Sequence, residues 1–126
     1  MKLIRYLPLI VVALLNLLGC VKDESYARQI IGTWEITHYD GRVVADHPEE
    51  FPQPRNMTFQ SDGAFYETGT SRDGFGSYSI NGGDIIIYMQ GRAVFTIKII
   101  SIDGSSAFLD VSTQGSAVGI KLKKMK

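Results

Sequence analysis

From Arg55 onward the chain is cut at near-regular intervals by clusters of turn-forming residues, with short apolar-alternating runs between them. The clusters are Ser61-Asp62-Gly63, Gly69 to Gly74, Asn81-Gly82-Gly83, Gln90-Gly91-Arg92, Asp103 to Ser106 and Gln114-Gly115-Ser116. Glycine supplies the positive φ that tight hairpins need, and Asn-Gly is among the strongest short hairpin signals. Between the clusters apolar and polar residues alternate, predicting strands near 56–60, 64–69, 75–80, 84–89, 93–101, 107–112 and 117–123. An eighth strand lies upstream, around the only Trp. From Thr33 its alternation puts Trp34, Ile36 and His38 on one face and Thr33, Glu35, Thr37 and Tyr39 on the other. Connections this short make consecutive strands antiparallel neighbours. The pattern predicts an all-β fold, an eight-stranded antiparallel up-and-down β-barrel that closes its own edges.

Two stretches fall outside that rhythm. Ser25 to Ile31 reads as a short helical turn with Ser25 as N-cap and Gly32 as terminator, placing Tyr26, Ile30 and Ile31 over one end of the barrel. Asp40 to Pro54 is the longest irregular segment and holds Pro48, Pro52 and Pro54 together with Glu49, Glu50 and Phe51. A connection of that length inside a compact domain is commonly a lid or a binding loop.

The N-terminus reads as a delivery segment. Lys2 and Arg5 precede an uncharged run from Tyr6 to Val21, the layout of a secretory signal peptide. A spanning helix needs about 20 apolar residues, and this run is shorter and is broken by Pro8 and Asn16. It ends Leu17-Leu18-Gly19-Cys20, which resembles a bacterial lipobox. The resemblance implies a signal peptide over residues 1–19, a lipidated Cys20 with a tether over 20–29, and a barrel domain over 30–126. Cys20 is the only cysteine and has no intrachain disulfide partner. Acylation, at about 0.8 kcal/mol per buried methylene, would anchor the chain to a membrane without a spanning helix. The following Lys22-Asp23-Glu24 resembles the surface-export signal of Bacteroidetes lipoproteins and implies an outer-membrane lipoprotein exposed at the surface.

Charge narrows the choice of partners. The chain carries 13 basic and 13 acidic residues, and loss of Lys2 and Arg5 leaves the mature domain at −2. Nucleic-acid binding draws on a concentrated positive face. The nearest approach to one is Lys121, Lys123, Lys124 and Lys126, which reads as a solvated outer face that discourages edge-to-edge strand pairing.

Gly32-Thr33-Trp34, then Met57 to Tyr66 with its Phe-x-x-Asp-Gly hairpin, then Gly76-Ser77-Tyr78-Ser79-Ile80 together resemble the small lipocalin-like domains of Bacteroidetes lipoproteins. That resemblance covers roughly residues 30–124. It implies a lipocalin-like barrel whose Trp closes the base, and a small hydrophobic ligand at the open end. The chain is shorter than a full lipocalin and lacks the disulfides and the long helix before the last strand that many carry.

An eight-stranded barrel is just wide enough to be filled by side chains or to hold one small ligand. The inward set is mostly bulky: Trp34, Ile36, Met57, Phe59, Tyr78, Ile80, Ile85, Ile87, Met89, Phe95, Ile97, Ile99, Leu109, Val111, Val118, Ile120 and Leu122. Small inward positions are few, namely Gly76, Ala93 and Ala107, and either Phe65 or Tyr66 faces in. The expectation is a largely packed interior with a shallow apolar pocket under the Asp40 to Pro54 segment. Trp34, Ile36, His38, Phe51 and Tyr78 are its candidate ligand contacts.

Catalytic and cofactor chemistry finds no footing. His38 and His47 are the only histidines and no third ligand sits at metal spacing, so neither a metal nor a cofactor is expected. There is no Gly-x-Ser-x-Gly nucleophile elbow and no phosphate-cradling loop leading into a helix. Two readings remain: a monomeric, lipid-anchored barrel binding a small apolar molecule, or a packed module whose surface binds an envelope protein or a glycan. Neither is an enzyme. The anchor is directly testable: Cys20→Ala should abolish palmitate labelling and release the protein from membranes, and unchanged fractionation would rule out the lipobox.

Overall fold

The computed structural model describes residues 25–69 and 73–125. The expected signal peptide, Cys20 and Lys22-Asp23-Glu24 lie outside the described residues, and of the expected tether over 20–29 only residues 25–29 are described. The strands are β1 (Gly32–Tyr39), β2 (Arg42–Val43), β3 (Asn56–Phe59), β4 (Ala64–Thr68), β5 (Gly74–Asn81), β6 (Asp84–Met89), β7 (Arg92–Asp103), β8 (Ser106–Thr113) and β9 (Ser116–Lys124). They run in the order β2-β1-β3-β4-β5-β6-β7-β8-β9, and β1 also pairs with β9. β1 and β3 to β9 therefore close the eight-stranded antiparallel barrel that the turn spacing predicts.

β1 is the seam. On one edge it pairs with β9, from Trp34 opposite Lys124 to Tyr39 opposite Ile120. On the other, β3 occupies Gly32 to Glu35, and β2 takes over at His38 and Tyr39. β2 is an addition to the predicted set. It folds back across Asp40-Gly41, both with positive φ (53° and 78°), the geometry of a type I′ hairpin turn. Asp-Gly carries that signal in the sequence.

Every residue of the predicted inward set is buried or packs against the core. The ambiguous pair resolves with Phe65 fully buried and Tyr66 exposed. The lower barrel is filled by aromatics: Phe59 lies 5.2 Å from both Phe65, tilted, and Tyr78, edge-on, and Phe65 lies edge-on to Phe95 at 6.1 Å. A short helix, residues 25–29, covers the base, with Tyr26 and Ile30 on the core. Trp34 plugs that end, fully buried, its Nε1 donating to the Ile30 carbonyl at 2.8 Å. Removing an aromatic of this size from water contributes about 4–6 kcal/mol of gross stabilisation.

Among the described residues three β-bulges depart from the strict alternation that the sequence pattern implies. One falls in β1 between Ile36 and His38, so His38 pairs with exposed Lys121 and turns outward while Tyr39 turns in. A second, at Val94 in β7, turns Ala93 out of the interior where it was expected. The third, at Ile100, places Ser101 outside and Ile102 inside. Lys124 also departs from the expected outer face. It continues the inward series Ile120, Leu122, lies with Nζ 5.2 Å from the Trp34 ring, and donates to the Gln29 carbonyl.

Gly76 faces inward as expected but opens no cavity, because a Cβ there would run into the Tyr88 carbonyl of the neighbouring strand. Gly76→Ala should lower stability by about 1–3 kcal/mol, the usual cost of overpacking. An unchanged urea midpoint would refute this close approach.

Candidate functional site

The base is sealed by Trp34, Ile30 and the short helix, so chemistry is to be sought at the other end, where Tyr39, Arg55, Glu67 and Gly74 lie. The β2–β3 connection folds over this mouth. It begins with a 3-10 turn, Val44–Asp46, and is stitched by backbone bonds from His47 N to Val44 O (3.1 Å) and from Phe51 N to His47 O (2.9 Å). Phe51 is thereby set against Tyr39, ring centroids 5.7 Å apart. Arg42 lies over Phe51 at 5.8 Å and pairs with Glu50 at 2.6 Å. Both partners of that ion pair are about half exposed, at 40% and 49%, so it contributes at most about 1 kcal/mol and acts as a clip on the connection.

Beneath the connection is a cleft of about 300 Å³. Ile36, Val43, Val44, Phe51, Pro48, Pro52 and Pro54 give it an apolar lining, and Glu35, Thr37, His38 and Gln53 supply polar groups. Pro48, Pro52 and Pro54 are three of the chain's four prolines, and their fixed φ makes this lining stiff. Three candidate residues, Ile36, His38 and Phe51, meet here. His38 reaches the cleft from the outside of the wall, because of its bulge, rather than from the interior.

The other two candidates do not reach the mouth. Trp34 belongs to the base plug. Tyr78 sits in the lower barrel, edge-on to Phe59, its hydroxyl donating to the Gln60 carbonyl at 2.8 Å in the β3–β4 turn. Tyr78 was placed by its inward face alone, which says nothing about height along the barrel axis.

Sequence reading missed a polar group inside the mouth. Arg55 and Glu67 continue the inward alternation of Met57 and Phe65, with Arg55 Nη2 3.7 Å from Glu67 Oε1 and the guanidinium 5.3 Å from the Tyr39 ring. Both are about three-quarters buried. The Arg55 Nε has no hydrogen-bond partner among the described residues. The signal was available: Arg55 lies two residues before Met57, and Glu67 two after Phe65. Among the described residues no group of three or more His, Cys, Asp or Glu side chains gathers to hold a metal.

These features define a small closed antiparallel barrel, sealed at one end and carrying a shallow apolar cleft at the other. The lipocalin-like domain family matches residues 30–106, and the chain belongs to that family. The crystal structure of apo lipid binding protein 8 from Caenorhabditis elegans shares the fold, with a TM-score of 0.50 at 9% identity over 78% of this chain and 96% of that one. No curated protein sequence matches the chain.

Tyr78 also provides a titration marker. Burial, and secondarily the Asp62 charge, raise its phenol above the ordinary 10.0. A raised folded-state value means the native state holds the proton longer than the unfolded chain. Its stabilising contribution is therefore complete below pH 10 and is lost as pH climbs through the folded value. Tyr78→Phe should remove that part of the alkaline loss and cost about 0.5–1.5 kcal/mol at neutral pH through the missing bond to Gln60. Denaturation curves at pH 7 and above 10 would test both effects.

Proposed function

We propose that the protein is a lipid-anchored envelope lipoprotein that binds a small hydrophobic molecule at the mouth of its barrel. The observation that carries the reading is the apolar cleft of about 300 Å³ under the proline-rich connection, at the lower end of the volumes that hold small molecules. Membership in the lipocalin-like family, and the fold shared with a protein named for lipid binding, support a hydrophobic ligand.

The filled lower barrel sets the mode of binding. Phe59, Phe65 and Ile87 are fully buried below the mouth, so the ligand is compact and rests under Phe51 rather than threading down the axis. Ile36, Val43 and Phe51 supply apolar contact, and Glu35 and His38 orient a polar substituent. The role is one of binding rather than catalysis. The lipobox-like sequence ending at Cys20 supports attachment to the outer membrane through acyl chains, and Lys22-Asp23-Glu24 supports exposure at the cell surface.

Titration of the full-length protein with Nile red, a neutral apolar fluorophore, tests the binding site. Saturable binding is expected, weakened about tenfold by Phe51→Ala, the scale of a truncated aromatic contact. Absence of saturable binding, or indifference to Phe51→Ala, would overturn the proposal.

A further inference from the structure

A second concavity lies on the outer wall across β7, β8, β9 and β1, and meets the mouth cleft only at Thr37 and His38. Strand register assembles it. Ser101 pairs with Phe108, Phe108 with Lys121, and Lys121 with His38, so four side chains form one row across four strands. The next row toward the base pairs Ser106 with Lys123. Together they border a groove of about 600 Å³, within the size range of small-molecule sites.

Two β-bulges bring this row together. Continued alternation from Ile36 would send His38 into the barrel, and continued alternation from Ile99 would send Ser101 there. The bulge immediately before each turns it out instead, at the two ends of the same row. Bulges that re-aim side chains recur beside binding and active sites. Here they place a hydroxyl and an imidazole on either side of an aromatic and a cation.

The chemistry of the row is specific. Neither Lys121 nor Lys123 forms an ion pair among the described residues, and the Lys121 ammonium lies at the Phe108 ring, 5.9 Å from its centroid. The Phe108 ring reaches across to Gly119, where a Cβ would sit 3.3 Å from it; the missing side chain lets the ring lie over the strand. The Thr37 hydroxyl donates to the Lys121 carbonyl at 3.2 Å and lies 2.9 Å from His38 Nδ1. Nδ1–H then donates to Thr37, which leaves Nε2 as an acceptor in the neutral ring. A flat aromatic, cations with no carboxylate partner among the described residues and neutral hydroxyls side by side suit a ring with one apolar face, an anionic group and several hydroxyls.

We propose that this groove binds an acidic saccharide of the uronic-acid class. The pyranose lies on Phe108, its carboxylate takes charge-assisted bonds from Lys121 and Lys123, and its hydroxyls meet Ser101, Ser106 and His38 Nε2. Asp103, also at the groove, directs the remaining carboxylates of an acidic sugar chain away from its own end.

Calorimetric titration of the full-length protein with trigalacturonate, and with neutral galactotriose of the same length, tests the site. Expected are saturable binding of the acidic sugar that weakens as salt is raised, affinity for the neutral sugar at least about tenfold lower, and losses of about tenfold in Phe108→Ala and in Lys121→Gln. Phe51→Ala at the mouth should leave this binding unchanged. Should Phe108→Ala fail to fold, Lys121→Gln and Lys123→Gln carry the test alone. Absence of binding, equal affinity for the neutral sugar, or indifference to the lysine substitutions would overturn the proposal.

Discussion

The structure depends on the hydrogen bonding of β1 along both edges. A twisted sheet with free first and last strands would expose two rows of unpaired amides and carbonyls, open to pairing with other chains. Here β9 takes one edge of β1, and β3 and β2 divide the other. The division leaves a gap in side-by-side pairing where β3 has ended and β2 has not begun, at Ile36 and Thr37. Ile36 N bonds the Arg55 carbonyl there, and the β2–β3 connection arches over the opening. The mouth cleft is thus a product of how one strand is shared among three partners.

Much of this was legible in the sequence, because alternation and glycine turns are local signals that survive folding. The eight barrel strands, their antiparallel order and the identities of the core side chains follow from them, and the Trp34 plug follows from the resemblance to lipocalin-like domains. Errors cluster where a strand takes in one extra residue. Bulging at Thr37, Val94 and Ile100 depends on how a strand must bend to close a narrow barrel, and no local composition encodes it. His38 and Ala93 were assigned the wrong face for that reason alone. Tyr78 differs in another way: it faces inward as expected, but height along the axis is set by register with β4 and β6, which alternation does not reveal. Arg55 and Glu67 were overlooked because polar residues were presumed to face solvent, although the same period-2 pattern puts both inside.

The interior shows why a barrel of this length is not a deep container. Isoleucines from β6 and β7, with Phe59 and Phe65 from β3 and β4, meet across the axis and leave the lower half solid. Each buried group loses stability if a void opens beside it. Packing and ligand capacity therefore compete for the same space, and only the segment freed from the barrel wall, the proline-rich connection, escapes the competition. Its rigidity comes from proline and from the contact of Phe51 with Tyr39, so a cleft exists there without a large cavity inside.

Both ends of the described chain meet the barrel at its sealed pole. The helix at 25–29 leads into Gly32, and Met125 N bonds the Thr33 carbonyl at 2.8 Å as the chain leaves β9. A strand of eight residues spans about 26 Å, so the mouth stands roughly that far from either end. The molecule is polar in the way a socket is polar: fittings attach at the back and the opening is at the front. A reporter or an immobilising tag joined directly to residue 25 or to Met125 would leave the opening clear, and a short linker between those two positions would allow new termini to be cut into a hairpin without disturbing the seam.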